Sequence, residues 1–181
     1  MSWEIPSVEA FGVPMASVAT GLSLFYYAQG IFKSGEEWSE MALAIREKQL
    51  GPDHPDTGTS LNNLAGLYRS MGRYDAAEPL YLRALAIGIQ YLGEDHPDVA
   101  VWYNNLAGLY TQFDRYPEAE TLYHKALKVF LDRLPQDHPY VEGTFNGLVN
   151  LLITAQTNGQ ADHLSDHPMT RSILQQIQAA N

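Results

Sequence analysis

The stretch that decides the fold is SLNNLAGLYRSMGRYDAAEPLYLRALAI, residues 60–87. Its first half places apolar side chains at Leu61, Leu64 and Tyr68, which is the i, i+3, i+7 spacing of one helical face. Gly72 then supplies a helix stop, and apolar residues return at helical spacing in the second half. The stretch therefore predicts two amphipathic helices joined by a short turn.

The same pattern recurs along the chain at a fixed offset of 42 residues. Asn-Asn-Leu-Ala-Gly-Leu-Tyr occupies residues 62–68 and again 104–110, and a decayed copy begins at Asn146. The tripeptide Asp-His-Pro recurs with the same spacing, beginning at Asp53, Asp95 and Asp137. A fixed period of this length is typical of stacked repeat units rather than of one globular core.

The period alone leaves several architectures open, because about 40 to 47 residues also suits HEAT-type helical arrays and propeller blades. The pattern inside the period argues against a propeller, since strand alternation and the Trp-Asp signature are absent from the sequence. Each unit is predicted to contain a first-type helix, a glycine turn, a second-type helix and a loop through Asp-His-Pro. Pro55, Pro97 and Pro139 suit the first turn of the following helix, where a missing N–H does no harm.

Within each unit the residue types match the tetratricopeptide pattern Trp-x2-Leu-Gly-x2-Tyr followed by Ala-x3-Phe. The matching residues are Leu61, Leu64, Ala65, Tyr68, Ala77 and Tyr81, and then Tyr103, Leu106, Ala107, Tyr110, Ala119 and Tyr123. Residues 60–87 and the LGEDHPDVA segment at 92–100 resemble the long tetratricopeptide repeats of kinesin light chains and their relatives. The resemblance implies an all-α fold, a right-handed α-solenoid of antiparallel helix pairs, and a non-enzymatic role in protein–protein interaction.

The predicted array occupies residues 13–156 and contains about three and a half repeats. Counting back 42 residues from the first clear unit gives a degraded copy, whose first-type helix is predicted at Met15–Ala28. Residues 1–12 are then an irregular lead-in. Whether the chain is a complete protein or a part of a longer array is open at this point.

The C-terminal part, residues 157–181, is predicted to be a loop and a capping helix at Met169–Ala179. A fourth Asp-His-Pro, at residues 166–168, follows the third after 29 residues instead of 42. The last first-type helix, predicted at 139–156, is therefore followed by a shortened unit. Terminal repeats of solenoids are often atypical in this way because they present a polar outer face.

A polar stripe on the first-type helices predicts the binding surface. By the resemblance, these helices line the concave face of the array, with lining positions near i, i+4 and i+7. The predicted peptide-binding residues are Asn62, Asn63, Gly66, Arg69, Asn104, Asn105, Gly108, Gln112, Asn146 and Asn150. Asparagine is a mediocre helix former, but its amide offers two donors and an acceptor to the backbone of an extended peptide.

A structural explanation of the same stripe stays open. One Asn of each pair could bond a neighbouring helix, and Gly66 and Gly108 could allow close helix packing instead of leaving room for a ligand. The stripe contains no lysine, and its clearest cation is Arg69. Kinesin light chains as a family bind acidic, tryptophan-containing cargo peptides through basic groove positions, so this specificity is not expected here.

The repeated Asp-His-Pro suggests a metal or catalytic site, because Asp and His are common ligands and acid–base groups. The copies lie one repeat apart, however, and a rise of roughly 10 Å per helix layer keeps their histidines from sharing an ion. Capping explains the repetition better, since Asp53 or His54 can accept from free N–H groups of the next helix. No metal, cofactor or catalytic residue is therefore predicted.

Other titratable residues are expected to be solvated or to have packing roles. Glu118 and Glu120 lie at the start of a second-type helix, where negative charge suits the helix dipole, and are predicted to form a solvated face. His124 is predicted to be isolated. The sequence has no phosphate loop, nucleophile elbow or metalloprotease motif, so the chain is predicted not to be an enzyme.

Composition disfavours several classes of partner. The 181 residues carry 21 acidic and 11 basic side chains, and the formal charge of -10 disfavours nucleic acid and anionic membranes. No stretch is apolar enough for membrane insertion, and the first residues have no basic signal region. The chain has no cysteine, which fits a cytoplasmic location.

The sequence therefore predicts a scaffold that binds a peptide segment of a protein partner in its concave groove. The alternative is a structural module that self-associates through exposed ends of the array, as a weak homodimer. Neither the partner nor the pathway is predicted.

Overall fold

The computed structural model of the chain describes residues 12–179, where the regular structure is entirely helical. The α-helices are α1 (Gly12–Ala28), α2 (Phe32–Leu50), α3 (Pro55–Ser70), α4 (Tyr74–Leu92), α5 (Pro97–Gln112), α6 (Tyr116–Arg133), α7 (Pro139–Thr157) and α8 (Pro168–Ala179). A short 3₁₀ helix, Ala161–His163, lies between α7 and α8. No strand occurs in these residues, and the all-α prediction is confirmed.

The observed helices lie close to their predicted bounds. α1 begins at Gly12, three residues before the predicted start, and α7 ends one residue beyond its predicted range. α8 begins at Pro168, one residue earlier than predicted. The predicted irregular lead-in lies outside the described residues except for Gly12, and residues 180 and 181 also lie outside them.

The chain divides into two compact units, Met1–Tyr91 and Leu92–Asn181. In the first unit α2 packs against both α1 and α3. In the second unit α6 packs against α5 and α7, and α7 packs against α8.

The apolar residues of the repeated pattern form the core. Ten of these side chains are at most 5% exposed: Leu61, Leu64, Ala65, Ala77 and Tyr81, and Tyr103, Leu106, Ala107, Ala119 and Tyr123. Burial of such apolar area is the main favourable contribution to folding.

The histidine of each Asp-His-Pro caps the helix that follows it. In α3, α5 and α7 the Nδ1 of His54, His96 and His138 accepts from the backbone N–H two residues on, at 3.1, 3.2 and 3.2 Å. His167 accepts from the N–H of Met169 in the same way at 3.3 Å. Each cap satisfies one of the free donors at a helix start, so the tripeptide is a start signal, with His rather than Asp as the acceptor.

Each first-type helix ends in a tight turn at a left-handed residue. In α3 the N–H of Arg73 bonds to the carbonyl of Tyr68 at 2.8 Å across Gly72, whose φ is 73°. Asp114 holds the equivalent position after α5 with a φ of 56°. α7 has glutamine at that offset, so the helix continues for about one more turn before Gly159 ends it.

Candidate functional site

In the first unit, the predicted lining faces of α1 and α3 contact each other directly. The hydroxyl of Tyr27 lies 3.0 Å from that of Ser70, and either can donate. Tyr27 is 42% exposed, and Leu24 one turn earlier is 53% exposed. Arg69 is half-buried beside them. This part of the predicted surface therefore combines an open aromatic and aliphatic area with one cation.

The two asparagines of α3 differ in accessibility. Asn62 is only 6% exposed and has an interaction partner within the structure, whereas Asn63 is half-buried. A buried amide must be hydrogen-bonded within the protein, and Asn62 is therefore poorly placed to bind a ligand. The structural explanation fits Asn62, and the binding explanation fits Asn63 better.

Gly66 faces the partner helix of its own pair. A Cβ added at Gly66 would lie 3.4 Å from the hydroxyl oxygen of Tyr81 in α4, which is 1% exposed. Burial raises the pKa of Tyr81 to about 12; nearby Arg69 lowers the pKa and Tyr27 raises it. The glycine thus borders a buried, neutral phenol, in keeping with close helix packing.

In the second unit, the predicted residues lie on α5 and α7, which contact each other. Asn104, Asn105 and Gly108 of α5 are half-buried, and Gln112 at its end is exposed. Asn146 and Asn150 of α7 are both exposed. This unit therefore presents five predicted amide side chains at least partly accessible to a ligand.

Hydroxyl groups of the same faces are turned back onto their own helices. Thr111 donates to the carbonyl of Ala107 at 2.9 Å, and Thr154 donates to the carbonyl of Asn150 at 2.8 Å. A hydroxyl that donates internally keeps its lone pairs, so these groups can only accept from a ligand. Ligand recognition would therefore depend mainly on the amides.

The arginines near the turns are committed to contacts within their units. Arg73 bonds to Glu36 at 2.5 Å and lies over the ring of Tyr68, 4.1 Å from its centroid. Arg115 bonds to Glu118 at 3.0 Å. These contacts leave little cationic character on the predicted surface for a carboxylate-rich peptide.

Arg46 is a buried cation that the repeat pattern alone did not reveal. Its Nη1 donates to Thr20 at 3.2 Å and to Ser60 at 2.5 Å, joining α2 to α1 and α3. The side chain is 8% exposed, and its Nε has no hydrogen-bond partner. The sequence does contain a signal, because the residue type changes at this position of the repeat, where the later units have Gly88 and Phe130.

The prediction that Glu120 belongs to a solvated face is wrong. It is 1% exposed and accepts from the N–H of Ser165 at 2.7 Å and from the hydroxyls of Ser165 and Thr170, both at 2.5 Å. Burial raises the pKa of Glu120, but bonds from His124, Ser165 and Thr170 outweigh it and lower the pKa to about 2. The carboxylate is therefore charged, and it holds the start of α8 against α6.

His124 is not isolated, contrary to the sequence-based expectation. Its Nε2 lies 2.9 Å from the hydroxyl of Thr170, and its ring lies against that of His167, tilted by 31°, with centroids 3.8 Å apart. Burial, and secondarily His124, lower the pKa of His167.

A cavity of about 410 Å³ opens beside His124 and His167. It is lined by Thr121, His124, Lys125, Lys128, Ser165 and His167. Within residues 12–179 no group of three His, Cys, Asp or Glu side chains could hold a metal ion.

The tetratricopeptide repeat family matches residues 14–87 and 59–132, which together cover more than half of the chain. The chain belongs to the tetratricopeptide repeat family. Proteins built from these repeats are interaction scaffolds, and the family is typically non-catalytic. Membership of this family supports a role in protein–protein interaction. No curated protein matches the sequence.

Several solved structures are similar to this chain. The crystal structure of a putative kinesin light chain from Podosopora anserina, with nearly identical repeats, is 24% identical at a TM-score of 0.65, covering 99% of this chain and 77% of that one. BtubC (BKLC) from P. vanneervenii is 23% identical at a TM-score of 0.70, covering 90% of this chain and 64% of BtubC. The apo form of RapI is 18% identical at a TM-score of 0.69, covering 92% of this chain and 58% of RapI.

These likenesses confirm the fold class, an α-solenoid of helix pairs similar to kinesin light chain repeats. The chain spans less than two thirds of BtubC and of RapI. Among residues 12–179, no helix combines the length and the apolar character that a membrane span requires.

Proposed function

We propose that the protein binds an extended peptide segment of a partner protein along the amide-rich faces of its first-type helices. The observation that carries the proposal is the second unit, where Asn104 and Asn105 on α5 are half-buried and Asn146 and Asn150 on α7 are exposed. Amides at these positions offer both donors and acceptors, which matches the N–H and C=O groups of an extended backbone. Peptide recognition of this kind needs few charges.

The first unit is considered by itself. Leu24 and Tyr27 are exposed beside Arg69, so an apolar or aromatic side chain of a peptide could pack on this unit. Asn62 is left out of the proposed contact set because it is buried. A cytoplasmic location belongs to this proposal, since a cysteine-free chain needs no oxidising compartment to fold.

The test is affinity capture from native lysate, followed by tiling the captured protein with short peptides. Asn104→Ala together with Asn105→Ala should weaken binding of the best peptide about tenfold or more, since each amide bond contributes about 1 kcal/mol. Gln90→Ala, at an exposed position of α4, is the matched control and should bind like the unmodified chain. Equal affinity of the double variant, with helicity preserved, would contradict the proposal.

A second candidate function is self-association. One observation favours it: α1 exposes Val18 and Phe25 by 54% and 58%, although such side chains are usually buried in a helix array. Self-association uses a different surface from the amide-rich faces, and the two functions are compatible in one protein.

A further inference from the structure

The cavity beside His124 and His167 collects basic side chains of the second unit. Its six lining residues include two of the four lysines of the chain and two of its six histidines. None of these lining residues is acidic, although the chain carries 21 acidic side chains and a formal charge of -10. A concave surface lined by one sign of charge attracts ions of the opposite sign, so the lining favours an anion.

The basic lining is particular to α6 among the second-type helices that the repeat period aligns. Four of the lining residues lie on α6, and they are Thr121, His124, Lys125 and Lys128. The equivalent residues of α4 are Pro79, Leu82, Arg83 and Ala86, and those of α2 are Glu37, Glu40, Met41 and Ala44. At these positions α4 therefore has one cation and α2 has none, whereas α6 has two lysines and a histidine.

His167 offers the cavity a hydrogen-bond donor, because its other ring nitrogen is already used. Its Nδ1 accepts from the N–H of Met169 at 3.3 Å, and this bond places the proton of the neutral ring on Nε2. Burial and the neighbouring His124 lower the pKa of His167, so the ring is neutral at pH 7. The Nε2–H group can donate to an anion without ionisation of the ring.

Glu120 lies next to the lining, and its negative charge is compensated within the second unit. It accepts from the N–H and the hydroxyl of Ser165 and from the hydroxyl of Thr170. Because Thr170 uses its proton in this way, Nε2 of His124 is the donor to the Thr170 oxygen, at 2.9 Å. Neutral His124 therefore has no second proton for a ligand. Glu120 lowers the affinity of the cavity for an anion, but it is not part of the lining.

The two hydroxyl groups of the lining are also committed within the second unit. Thr121 donates to the carbonyl of Pro117 at 2.9 Å, and Ser165 donates to Glu120 at 2.5 Å. Since a hydroxyl has one proton, neither group donates to a ligand in this arrangement. The donors that the lining offers are therefore the two lysine ammonium groups and Nε2–H of His167.

The two lysines are held only weakly by acidic residues of the loop before α5. The Nζ of Lys125 lies 3.6 Å from Glu94, and the Nζ of Lys128 lies 3.8 Å from Asp95. All four side chains are between 45% and 72% exposed. Ion pairs of this length and exposure contribute little to stability, so both ammonium groups can turn to a ligand of higher charge at low cost.

We propose that this cavity binds a phosphate monoester group, with Lys125, Lys128 and Nε2–H of His167 donating to its terminal oxygens. A phosphate monoester carries a charge of about −1.5 to −2 at pH 7 and three strong acceptor oxygens. It therefore matches the two ammonium groups in charge and the three donors in number, whereas a carboxylate has one charge and two oxygens. The volume of about 410 Å³ lies within the range of ligand pockets, about 300 to 1,000 Å³.

The phosphate can belong to a phosphorylated side chain of a protein partner or to a small molecule, because both present the same group to the cavity. In either case the site lies on α6 and the segment before α8, and not on the first-type helices. The proposal is therefore independent of peptide binding by the amide-rich faces.

NMR titration of the full ¹⁵N-labelled chain at about pH 7.5, where the monoester is a dianion, tests the site. The probes are a Gly-Gly-phosphoserine-Gly-Gly peptide, the same peptide with unmodified serine, and inorganic phosphate. The phosphopeptide should shift amide signals of α6 and residues 165–167 with a dissociation constant of about 0.1 to 1 mM, and the serine peptide should not. No shift at these residues with either phosphate probe at about 10 mM would overturn the proposal.

The two phosphate probes distinguish the source of the group. Binding of the phosphopeptide at least about tenfold tighter than inorganic phosphate supports the site and indicates a phosphorylated protein as the ligand. Equal affinity of the two probes also supports the site and indicates a small phosphorylated molecule. Equal binding of the phosphorylated and unmodified peptides would overturn the proposal, because the phosphate would then make no contribution.

Charge-matched variants test the lysines. Lys125→Gln together with Lys128→Gln should weaken phosphate binding about tenfold or more, since two charge-assisted hydrogen bonds are lost. The control is Lys33→Gln together with Lys48→Gln, which removes the same charge from exposed positions of α2. Helicity and melting temperature should change little in both, because all four lysines are exposed. Equal weakening in the two double variants would overturn the proposal, because it would show attraction by net charge alone.

His167→Asn tests the imidazole donor, because asparagine keeps an acceptor for the start of α8 but lacks Nε2–H. It should weaken phosphate binding severalfold without changing the net charge, and unchanged affinity would overturn the assignment of His167. The Asn104→Ala/Asn105→Ala variant should bind the phosphate probes like the unmodified chain. Loss of peptide capture in that variant, with phosphate binding intact, therefore concerns the amide-rich faces alone.

Discussion

The hydroxyl of Thr170 donates to the buried carboxylate of Glu120 at 2.5 Å, and this bond ties the last helix of the chain to α6. The same hydroxyl lies 2.9 Å from Nε2 of His124, so three side chains from two helices meet at one oxygen. Thr170 is fully buried. The position of α8 therefore depends on a charged polar contact as well as on the burial of Ile173.

Thr170→Val should destabilise the second unit, because it removes a donor to a buried carboxylate while keeping the shape of the side chain. We expect the free energy of unfolding to fall by about 1.5 to 3 kcal/mol, the range for hydrogen bonds to charged groups. Amide hydrogen exchange in α8 should accelerate more than exchange in α5. Urea unfolding and hydrogen-exchange mass spectrometry measure the two effects.

The control for this variant is Thr121→Val on α6. Thr121 is exposed, and its hydroxyl donates to the carbonyl of Pro117 in its own helix at 2.9 Å. A change within about 0.5 kcal/mol is expected at such a surface position. Equal losses in the two variants would contradict the proposed anchoring of α8.

The pKa of His167 predicts a first loss of stability on mild acidification. Burial lowers its folded pKa below the unfolded value of 6.5, and its Nδ1 must stay unprotonated to accept from Met169. The unfolded state therefore takes up a proton first as the pH falls through 6.5, and this favours unfolding. The stabilisation is complete above that pH. Urea midpoints of the unmodified chain and of His167→Asn, which keeps a capping acceptor, should converge as the pH falls below 6.5.

Glu120 predicts a second loss at lower pH. Its pKa is lowered from 4.5 to about 2, so its contribution is complete above 4.5 and is lost as the pH falls towards 2. Glu120→Gln should lose less stability than the unmodified chain as the pH falls. It should also be less stable at neutral pH, because the amide replaces a charge-assisted acceptor. If urea unfolding between about pH 5 and about pH 2.5 shows the same loss of stability in Glu120→Gln, other carboxylates dominate the acid dependence.

Two mid-helix glycines should respond in opposite directions to alanine. Gly66→Ala adds a Cβ 3.4 Å from the Tyr81 hydroxyl, which is close to ordinary contact, and should raise stability by about 0.5 to 1 kcal/mol through helix propensity. Gly147→Ala places a Cβ 2.8 Å from the ring of Tyr123, which is 5% exposed and has little room to move. A loss of about 1 to 3 kcal/mol is expected there.

Urea unfolding of the two alanine variants provides the comparison. A similar stabilisation of both would show that the Tyr123 ring yields easily, and the packing argument at Gly147 would be wrong. Loss of peptide binding by Gly66→Ala despite greater stability would instead assign Gly66 to ligand contact.

The repeat made the helices predictable, because local signals set their bounds. The Asp-His-Pro tripeptide supplies both the histidine cap and the proline of the first turn, and Gly72 supplies the stop after α3. The sequence also predicts the end of α7 to within one residue. Gly159 marks this end, which lies about one turn beyond the end that the repeat period alone predicts. These features depend on residues within one turn of each other, which a sequence pattern captures directly.

The candidate site was less predictable, because burial depends on residues far along the chain. Asn62, Asn104 and Asn146 are equivalent in the repeat, yet the first is buried, the second half-buried and the third exposed. Glu120 was misassigned for the same reason, since its partners Ser165 and Thr170 lie 45 and 50 residues away in the atypical last unit. Periodicity predicts which residues share a helix face, but not what packs against that face.

Arg46 offers a test of whether a buried charge is retained for stability. Its guanidinium contacts the hydroxyls of Thr20 and Ser60, has no carboxylate partner among the described residues, and leaves Nε without a hydrogen bond. Burying a cation with so little compensation is unfavourable, and a well-packed apolar replacement is often neutral or stabilising. Arg46→Met should therefore unfold at the same or a higher urea concentration, with a gain of up to about 2 kcal/mol.

Arg46→Ala serves as the control for that substitution, because it removes the charge but leaves a cavity, and it should be less stable than Arg46→Met by about 1 to 3 kcal/mol. Ser60 can turn its hydroxyl to its own helix when the arginine is absent, as Ser70 does towards Gly66 at 3.0 Å. A large loss of stability in Arg46→Met would show that the hydrogen bonds to Thr20 and Ser60 outweigh the desolvation of the charge. Unchanged or higher stability together with weaker peptide binding would instead indicate that the cation is kept for recognition near Thr20.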